Sequence, residues 1–289
     1  MAILIDRSSR IIIQGITGST GRGFAKTLSR GGNPLVGGVT PGKGGEQVEG
    51  LPVWSYVSEA VEMSGCNASY VLVGPPYVKD AVYEAADAGI KLIDIYAEKV
   101  PVHDVLDMIG YTRARGVTLI GPAAAGVVSP GKANFSDINF DTIVPGHVGI
   151  VSKSGTLTYE VMDGLHRRGL GESTVVCLGG ELVTGTGYRE ILELFRGDHE
   201  TRAVVVLGEI GGLAEIEALD VIRAFGKPVV AYMAGKTAPP GKKMGHAGAI
   251  TRGGRDAAGE KARLLQEAGA VLAPLVTDVP DLIAAALGL

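Results

Sequence analysis

Short runs of Val, Ile and Leu alternate along the whole chain with longer stretches in which apolar residues return every three or four positions. A continuous apolar run suits a strand buried on both faces, and the longer spacing suits a helix that rests one side on a sheet. Repeated from end to end, the alternation predicts an α/β fold of parallel strands joined by crossover helices. In the first half, strands are predicted near residues 10–14, 35–39, 69–73, 92–95 and 118–120, with helices starting near Gly21, Val57, Val78 and Val102. In the second, strands fall near 148–152, 173–178, 203–207, 229–233 and 270–273, with helices near 156–168, 188–195, 214–225 and 256–268. Residues 129–146, with two prolines, several Asn and Asp residues and little periodicity, read as a linker. The predicted layout is a nucleotide-binding-type domain over 1–128, a linker over 129–146 and a second parallel-sheet domain over 147–289.

Composition narrows the ligands. A chain of 289 residues, 46% hydrophobic, is long enough for two domains of ordinary size. Its net charge of −4 gives a polyanion no attraction, so neither nucleic acid nor a membrane surface is an expected partner, and small molecules are. The two cysteines, Cys66 and Cys177, lie far apart without metal-ligand spacing; neither a disulfide framework nor a metal site is predicted, and a reducing cytoplasm fits. The first fifteen residues lack a basic segment followed by an apolar run, and no later stretch approaches the length of a membrane span.

The first predicted strand runs into Gly15-Ile16-Thr17-Gly18-Ser19-Thr20-Gly21 and then a helix. That places backbone N–H groups and the positive end of a helix dipole at one spot, which suits a pyrophosphate. The spacing is G-x-x-G-x-x-G rather than the dinucleotide G-x-G-x-x-G, and a tight turn that holds no ligand reads the same way. Dinucleotide-binding units carry an acid after the second strand to bond ribose hydroxyls. Here the chain continues Val39-Thr40-Pro41-Gly42-Lys43, so a lysine stands where an acid would favour NAD, and CoA carries a ribose phosphate that a cation tolerates. Gly74-Pro75-Pro76-Tyr77 and Tyr96-Ala97-Glu98 follow the third and fourth strands, at the sheet edge where ligands of open α/β sheets bind.

In the second half, Ser152-Lys153-Ser154-Gly155-Thr156 reads as a strand end and a helix start, with Ser154 as N-cap. This is a second candidate anion site, equally readable as a plain capped helix. No G-x-S-x-G elbow is present to support a serine hydrolase. One histidine, His246, lies in Lys242-Lys243-Met244-Gly245-His246-Ala247-Gly248-Ala249, among residues too small to shield it, as a nucleophile or base requires. Glu209, in Gly208-Glu209-Ile210-Gly211-Gly212, ends a predicted strand and is a candidate to orient the imidazole.

These pieces, in this order, resemble the α subunit of succinyl-CoA synthetase over nearly the whole chain. The resemblance is carried by ILID, GITGSTG, VGGVTPGKGG, DAGIKLI, VGIVSKSGTLTYE, LGEIGG and KKMGHAGAI, collinear with the family's own segments. It implies a Rossmann-like CoA-binding domain followed by a flavodoxin-like ligase domain. It further implies that an acid, CoA and a nucleotide are joined through an acyl phosphate, with the phosphoryl group carried by His246 and supported by Glu209. Ser154, Gly155 and Thr156 match the cradle of the phosphohistidine; Thr17, Gly18, Ser19, Thr20, Lys43, Pro75, Tyr96, Ala97 and Glu98 match the CoA site. Tyr159 matches a residue near the acyl group.

By the same resemblance, ATP or GTP with Mg²⁺ belongs to an ATP-grasp β subunit, in a heterodimer or heterotetramer. Ala234-Gly235-Lys236-Thr237 ends like a P-loop, but Val230 stands where its first glycine is required. Where the succinate-using family usually reads Gly-Pro-Asn-Cys-Pro-Gly, this chain reads Gly121-Pro122-Ala123-Ala124-Ala125-Gly126. Ala123, Ala124 and Ala125 therefore leave the acid open between succinate and a carboxylate such as citrate or malate. The competing readings are a non-catalytic CoA-binding subunit and an NAD-dependent oxidoreductase.

Overall fold

The structure is a computed structural model that describes residues 2–30 and 32–289. Its first sheet is built from β1 (Ile11–Gln14), β2 (Leu35–Val39), β3 (Gln47–Val48), β4 (Leu51–Trp54), β5 (Ala68–Val71), β6 (Leu92–Ile95) and β7 (Thr118–Ile120). Helices α1 (Ser19–Leu28), α2 (Val57–Ser64), α3 (Val78–Asp87) and α4 (Val102–Arg113) connect them. The strand order is β3-β4-β2-β1-β5-β6-β7, parallel except for the β3–β4 pair. β1, β5 and β6 are buried at every position, which is why apolar residues fill most of their length. The polar residues in them are mostly bonded: Ser69 donates to Gln14 Oε1 at 2.7 Å and Gln14 donates to the Ala81 carbonyl at 3.0 Å. The order reverses between β1 and β5, and a ligand crevice opens at the carboxyl ends of strands at such a reversal.

The second sheet contains β8 (Gly126–Ser129), β9 (Ala133–Ser136), β10 (Pro145–Ser152), β11 (Glu172–Cys177), β12 (Ala203–Glu209), β13 (Val229–Ala234) and β14 (Val271–Leu272). Around it pack α5 (Gly155–His166), α6 (Tyr188–Gly197), α7 (Leu219–Arg223), α8 (Ala258–Glu267) and α9 (Val279–Ala286). The order is β14-β13-β12-β10-β11-β8-β9, with β8 antiparallel to β11. It reverses at β10, so the loop after β10 and the end of β12 share the second crevice.

Residues 129–146, predicted as a linker, hold strand β9 instead, and β8 and β9 form an antiparallel hairpin on the edge of the second sheet. The segment looked irregular because its buried polar residues satisfy one another. Ser136 donates to Asn134 Oδ1 at 2.5 Å, Asn134 donates to the Ile138 carbonyl at 3.2 Å, and Ser129 and Thr174 share a 2.9 Å bond. Residues 214–225 form a 3₁₀ turn over Ile216–Ala218 followed by the short α7, not one helix. The β3–β4 pair and α9 were not predicted.

The two sheets are pinned together. Asn33 donates to the Asn134 carbonyl at 2.9 Å and accepts from the Asn134 amide at 2.7 Å. Gly185 N donates to the Gly121 carbonyl at 2.9 Å, and Thr186 to that of Leu119 at 2.7 Å. The Tyr70 ring of β5 lies 5.0 Å from the Phe135 ring of β9, so one apolar core runs through both halves.

Candidate active site

The loops that leave the first sheet converge. Gly18 is the residue before α1, and no side chain caps that helix, so the amides of its first turn have no partner within the helix. A Cβ on Gly21 would overlap Ile16 and the Gly15 carbonyl, which explains a third glycine as a packing requirement. Thr17 donates to Thr40 Oγ1 at 3.1 Å, tying the turn that carries Thr17, Gly18, Ser19 and Thr20 to the loop that carries Lys43. Lys43 is exposed and pairs with Glu46 at 3.1 Å. Pro75 opens a 3₁₀ turn after β5, on the same edge. Ala123 N donates to the Ala97 carbonyl at 2.9 Å, joining the loops after β6 and β7.

In the second sheet, Glu209 ends β12, and its backbone is held by a fully buried cation. Lys261 Nζ donates to the carbonyls of Glu209 (2.8 Å) and Gly211 (2.7 Å) and to Glu215 Oε2 (2.6 Å). Glu215 Oε1 accepts from the Glu209 amide at 3.1 Å. The Glu209 side chain, 9% exposed, meets His246 Nδ1 through Oε2 at 2.7 Å. With Nδ1 donating to the carboxylate, Nε2 keeps its lone pair. The hydrogen bond to Glu209 raises the His246 pKa above the usual imidazole value, against the opposing effect of partial burial and of the Lys153 charge.

The histidine loop closes on itself. Met244 N donates to the Ala249 carbonyl at 2.9 Å, and Gly248 N to that of Gly180 at 3.0 Å. Gly180 leaves room for the imidazole: a Cβ there would stand 2.5 Å from His246 Cγ. Gly211, at φ +85°, lets the Gly248 carbonyl approach closer than any side chain would allow. After β10 and the Lys153 that follows it, Ser154 caps α5 by accepting from Leu157 N at 3.3 Å, and Gly155 and Thr156 open that helix.

A cleft of about 310 Å³ lies where the two halves meet. Tyr96, Ala97, Glu98, Ala123, Ala124 and Ala125 line it from the first domain's loops, Gly155, Thr156 and Tyr159 from α5, and Asp137 from just beyond β9. The Glu98 charge acts on His246, and Gly179 packs against the Pro122 carbonyl, so cleft and histidine are neighbours. Tyr159 donates a short hydrogen bond to Asp137 Oδ1. Burial raises the pKa of both groups, and the shared bond raises that of Tyr159 further while lowering that of Asp137. A larger hollow, about 590 Å³, lies at the opposite ends of the strands beside Asn33 and Lys132 and contains none of the candidate residues.

The structure thus brings His246 to Glu209, and Tyr96, Ala97, Glu98, the three alanines and Tyr159 to one cleft. Sequence reasoning missed Asp137, hidden in the presumed linker, and Lys261 and Gly180, whose roles arise only from partners distant in sequence.

A family model described as a CoA binding domain matches residues 6–99, and one described as CoA-ligase matches residues 151–271. The chain is 49% identical over 284 residues to a succinate–CoA ligase [ADP-forming] subunit alpha 2 of Archaeoglobus fulgidus, covering 98% of this chain and 99% of the relative. It is 46% identical over 279 residues to the corresponding alpha subunit of Aquifex aeolicus, covering 93% and 90%. Among solved structures it resembles a mutant ATP citrate lyase of Methanosaeta concilii in complex with (3S)-citryl-CoA, with a TM-score of 0.91 at 21% identity. That match covers 99% of this chain, which spans 50% of that longer one. A dinucleotide forming acetyl-coenzyme A synthetase 1 of Ca. Korarchaeum cryptofilum shares the fold at a TM-score of 0.77 and 18% identity, covering 97% of this chain and 61% of its own.

Proposed function

The chain belongs to the succinate–CoA ligase α-subunit family, and on that premise we propose that His246 carries a phosphoryl group between a nucleotide on a partner subunit and a carboxylic acid that is then joined to CoA. One observation carries the reading: the 2.7 Å bond from Nδ1 to Glu209, which orients the ring and leaves Nε2 as the nucleophile toward phosphorus. Glu209 also stabilises the positive charge that the ring gains on phosphorylation. Ser154, Gly155 and Thr156 receive the phosphoryl oxygens at the amino end of α5. CoA lies along the first sheet, its phosphates at Thr17, Gly18, Ser19 and Thr20, its ribose phosphate at Lys43, and its thiol arm past Pro75 toward Tyr96, Ala97 and Glu98.

The partner in this reading is an ATP-grasp β subunit that holds ATP or GTP with Mg²⁺, and the complex works in the cytoplasm. Succinate is the proposed acid, after the names of the relatives. A second reading, a bulkier carboxylate, draws on Ala123, Ala124 and Ala125 lining the cleft with small side chains. The test is incubation with the co-purified partner, Mg²⁺ and γ-labelled nucleotide. An acid-labile, base-stable label that disappears in His246→Ala is expected; a label that persists in that variant, or sits on serine, refutes the relay.

A further inference from the structure

Joining CoA to an acyl phosphate requires the loss of a proton from the thiol, and a group that takes it must lie where the CoA-binding loops meet the ligase half. Among the described residues, those lining the cleft between the CoA-binding and ligase halves include two carboxylates, Asp137 and Glu98, and no lysine, arginine or histidine. Asp137 is the better placed. It follows β9, lines the cleft together with Tyr96 and Ala97, and is oriented by the short bond it accepts from Tyr159 on α5, the helix whose first residues, Gly155 and Thr156, line the same cleft.

We propose that Asp137, positioned by Tyr159, is the general base that deprotonates the CoA thiol, an inference that rests on the ligase reading above. As the S–H bond breaks, the proton passes to the Asp137 carboxylate. The sulfur forms its bond to the acyl carbon, and the carbon–oxygen bond to phosphate breaks with its electron pair leaving on the phosphate. Asp137 then gives its proton to the departing phosphate or to water. In the reverse direction the protonated acid returns the proton to the sulfur of the leaving CoA.

The surroundings suit a base. The titratable groups that act on or are acted on by Asp137 are Tyr159 on α5, Tyr70 on β5, Asp94 and Tyr96 on or just past β6, and Cys177 on β11. None is a cation that would hold the carboxylate ionised and weak. Asp94 is fully buried, and neither carboxyl oxygen has a hydrogen-bond partner among the described residues. Burial drives its pKa well above the usual range and the Asp137 charge adds to this. Burial also raises the pKa of Asp137 itself, against the opposing effect of the Tyr159 hydrogen bond, and so makes the carboxylate a better proton acceptor than a solvated one.

The assay separates the two half-reactions. The complex with its co-purified partner is first labelled on histidine with γ-labelled nucleotide, and the label is then discharged either with ADP or with succinate plus CoA. For Asp137→Asn, labelling and discharge by ADP are expected within about threefold of the parent, which also reports that the variant is folded. Discharge to the thioester at pH 7 is expected to fall by about 10²-fold, the usual scale of a lost general base. The deficit should shrink as pH rises toward ~8.5, where a thiol begins to ionise unaided. Parental thioester formation by Asp137→Asn at pH 7 overturns the proposal, as does a deficit equal at every pH, which marks a structural role. A parent complex that takes no histidine label overturns the ligase reading itself.

Discussion

Gly180→Ala tests how tightly the fold positions the reactive ring, because it adds one methyl group outside the chemistry. A Cβ built at Gly180 lies 2.5 Å from Cγ, 2.6 Å from Nδ1 and 2.8 Å from Cδ2 of His246. Carbon atoms rest at about 3.5–4.0 Å, so the ring must retreat by roughly 1 Å. The loop cannot easily follow, since Gly248 N is bonded at 3.0 Å to the carbonyl of Gly180 itself. A shift of that size stretches the 2.7 Å bond to Glu209 past the limit of a hydrogen bond. Displacement by about 1 Å costs on the order of 10²-fold in rate, so histidine labelling by γ-labelled nucleotide, followed by rapid quench, should slow by that amount. The His246 pKa, followed by NMR, should fall toward the ordinary imidazole value as its carboxylate partner is lost. Overpacking costs about 1–3 kcal/mol, leaving the protein folded. Labelling at the parental rate with an unchanged imidazole titration refutes the argument.

Three further outcomes follow from buried or charged groups. Lys261→Met strands the Glu215 carboxylate in a site where both partners are 0% exposed, and should destabilise the protein by about 3–5 kcal/mol in denaturant titration; a loss under about 1 kcal/mol contradicts the assignment. Glu172, 1% exposed, is pushed up to about 8 by burial against the opposing effect of nearby backbone amides, so it stays protonated in the fold while the unfolded chain ionises near its ordinary value of 4.5. Its contribution is therefore lost as pH rises from about 4.5 to 8, by an amount on the order of 3–5 kcal/mol, and Glu172→Gln should flatten that slope in melts compared across the window. Lys43→Ala should weaken CoA more than 3′-dephospho-CoA in calorimetry, by a modest factor of about ten or less, because the ammonium is exposed and already shared with Glu46; equal losses detach Lys43 from the ribose phosphate.

Much of this architecture was legible in the chain, and the failures have physical causes. β2 and β7 were delimited to the residue because each lies between Gly or Pro residues, and the helices after Gly187 and Ser154 announce themselves by periodicity, the second also by its serine cap. His246 and Glu209 could be paired in advance through the resemblance, and they stand 2.7 Å apart in the fold. β9 escaped because Asn134 and Ser136 are polar, and their mutual bonds, which permit burial, are invisible in one dimension. Asp137 fell with it. Lys261 looked like any helical lysine until the buried acceptors of Glu209 and Gly211 were assembled around it.

The placement of the β8–β9 hairpin bears on how the chain is made. It leaves the ribosome directly after β7, yet its partner β11 lies beyond β10 and α5, so the edge of the second sheet is synthesised before its middle. Until β11 arrives, the hairpin's available contacts are those to the finished first sheet, through Asn33 and Tyr70. The nascent chain therefore holds a waiting strand edge docked on a completed domain. A protease site or a circular-permutation break placed between β7 and β8 would separate that edge from the surface that shelters it.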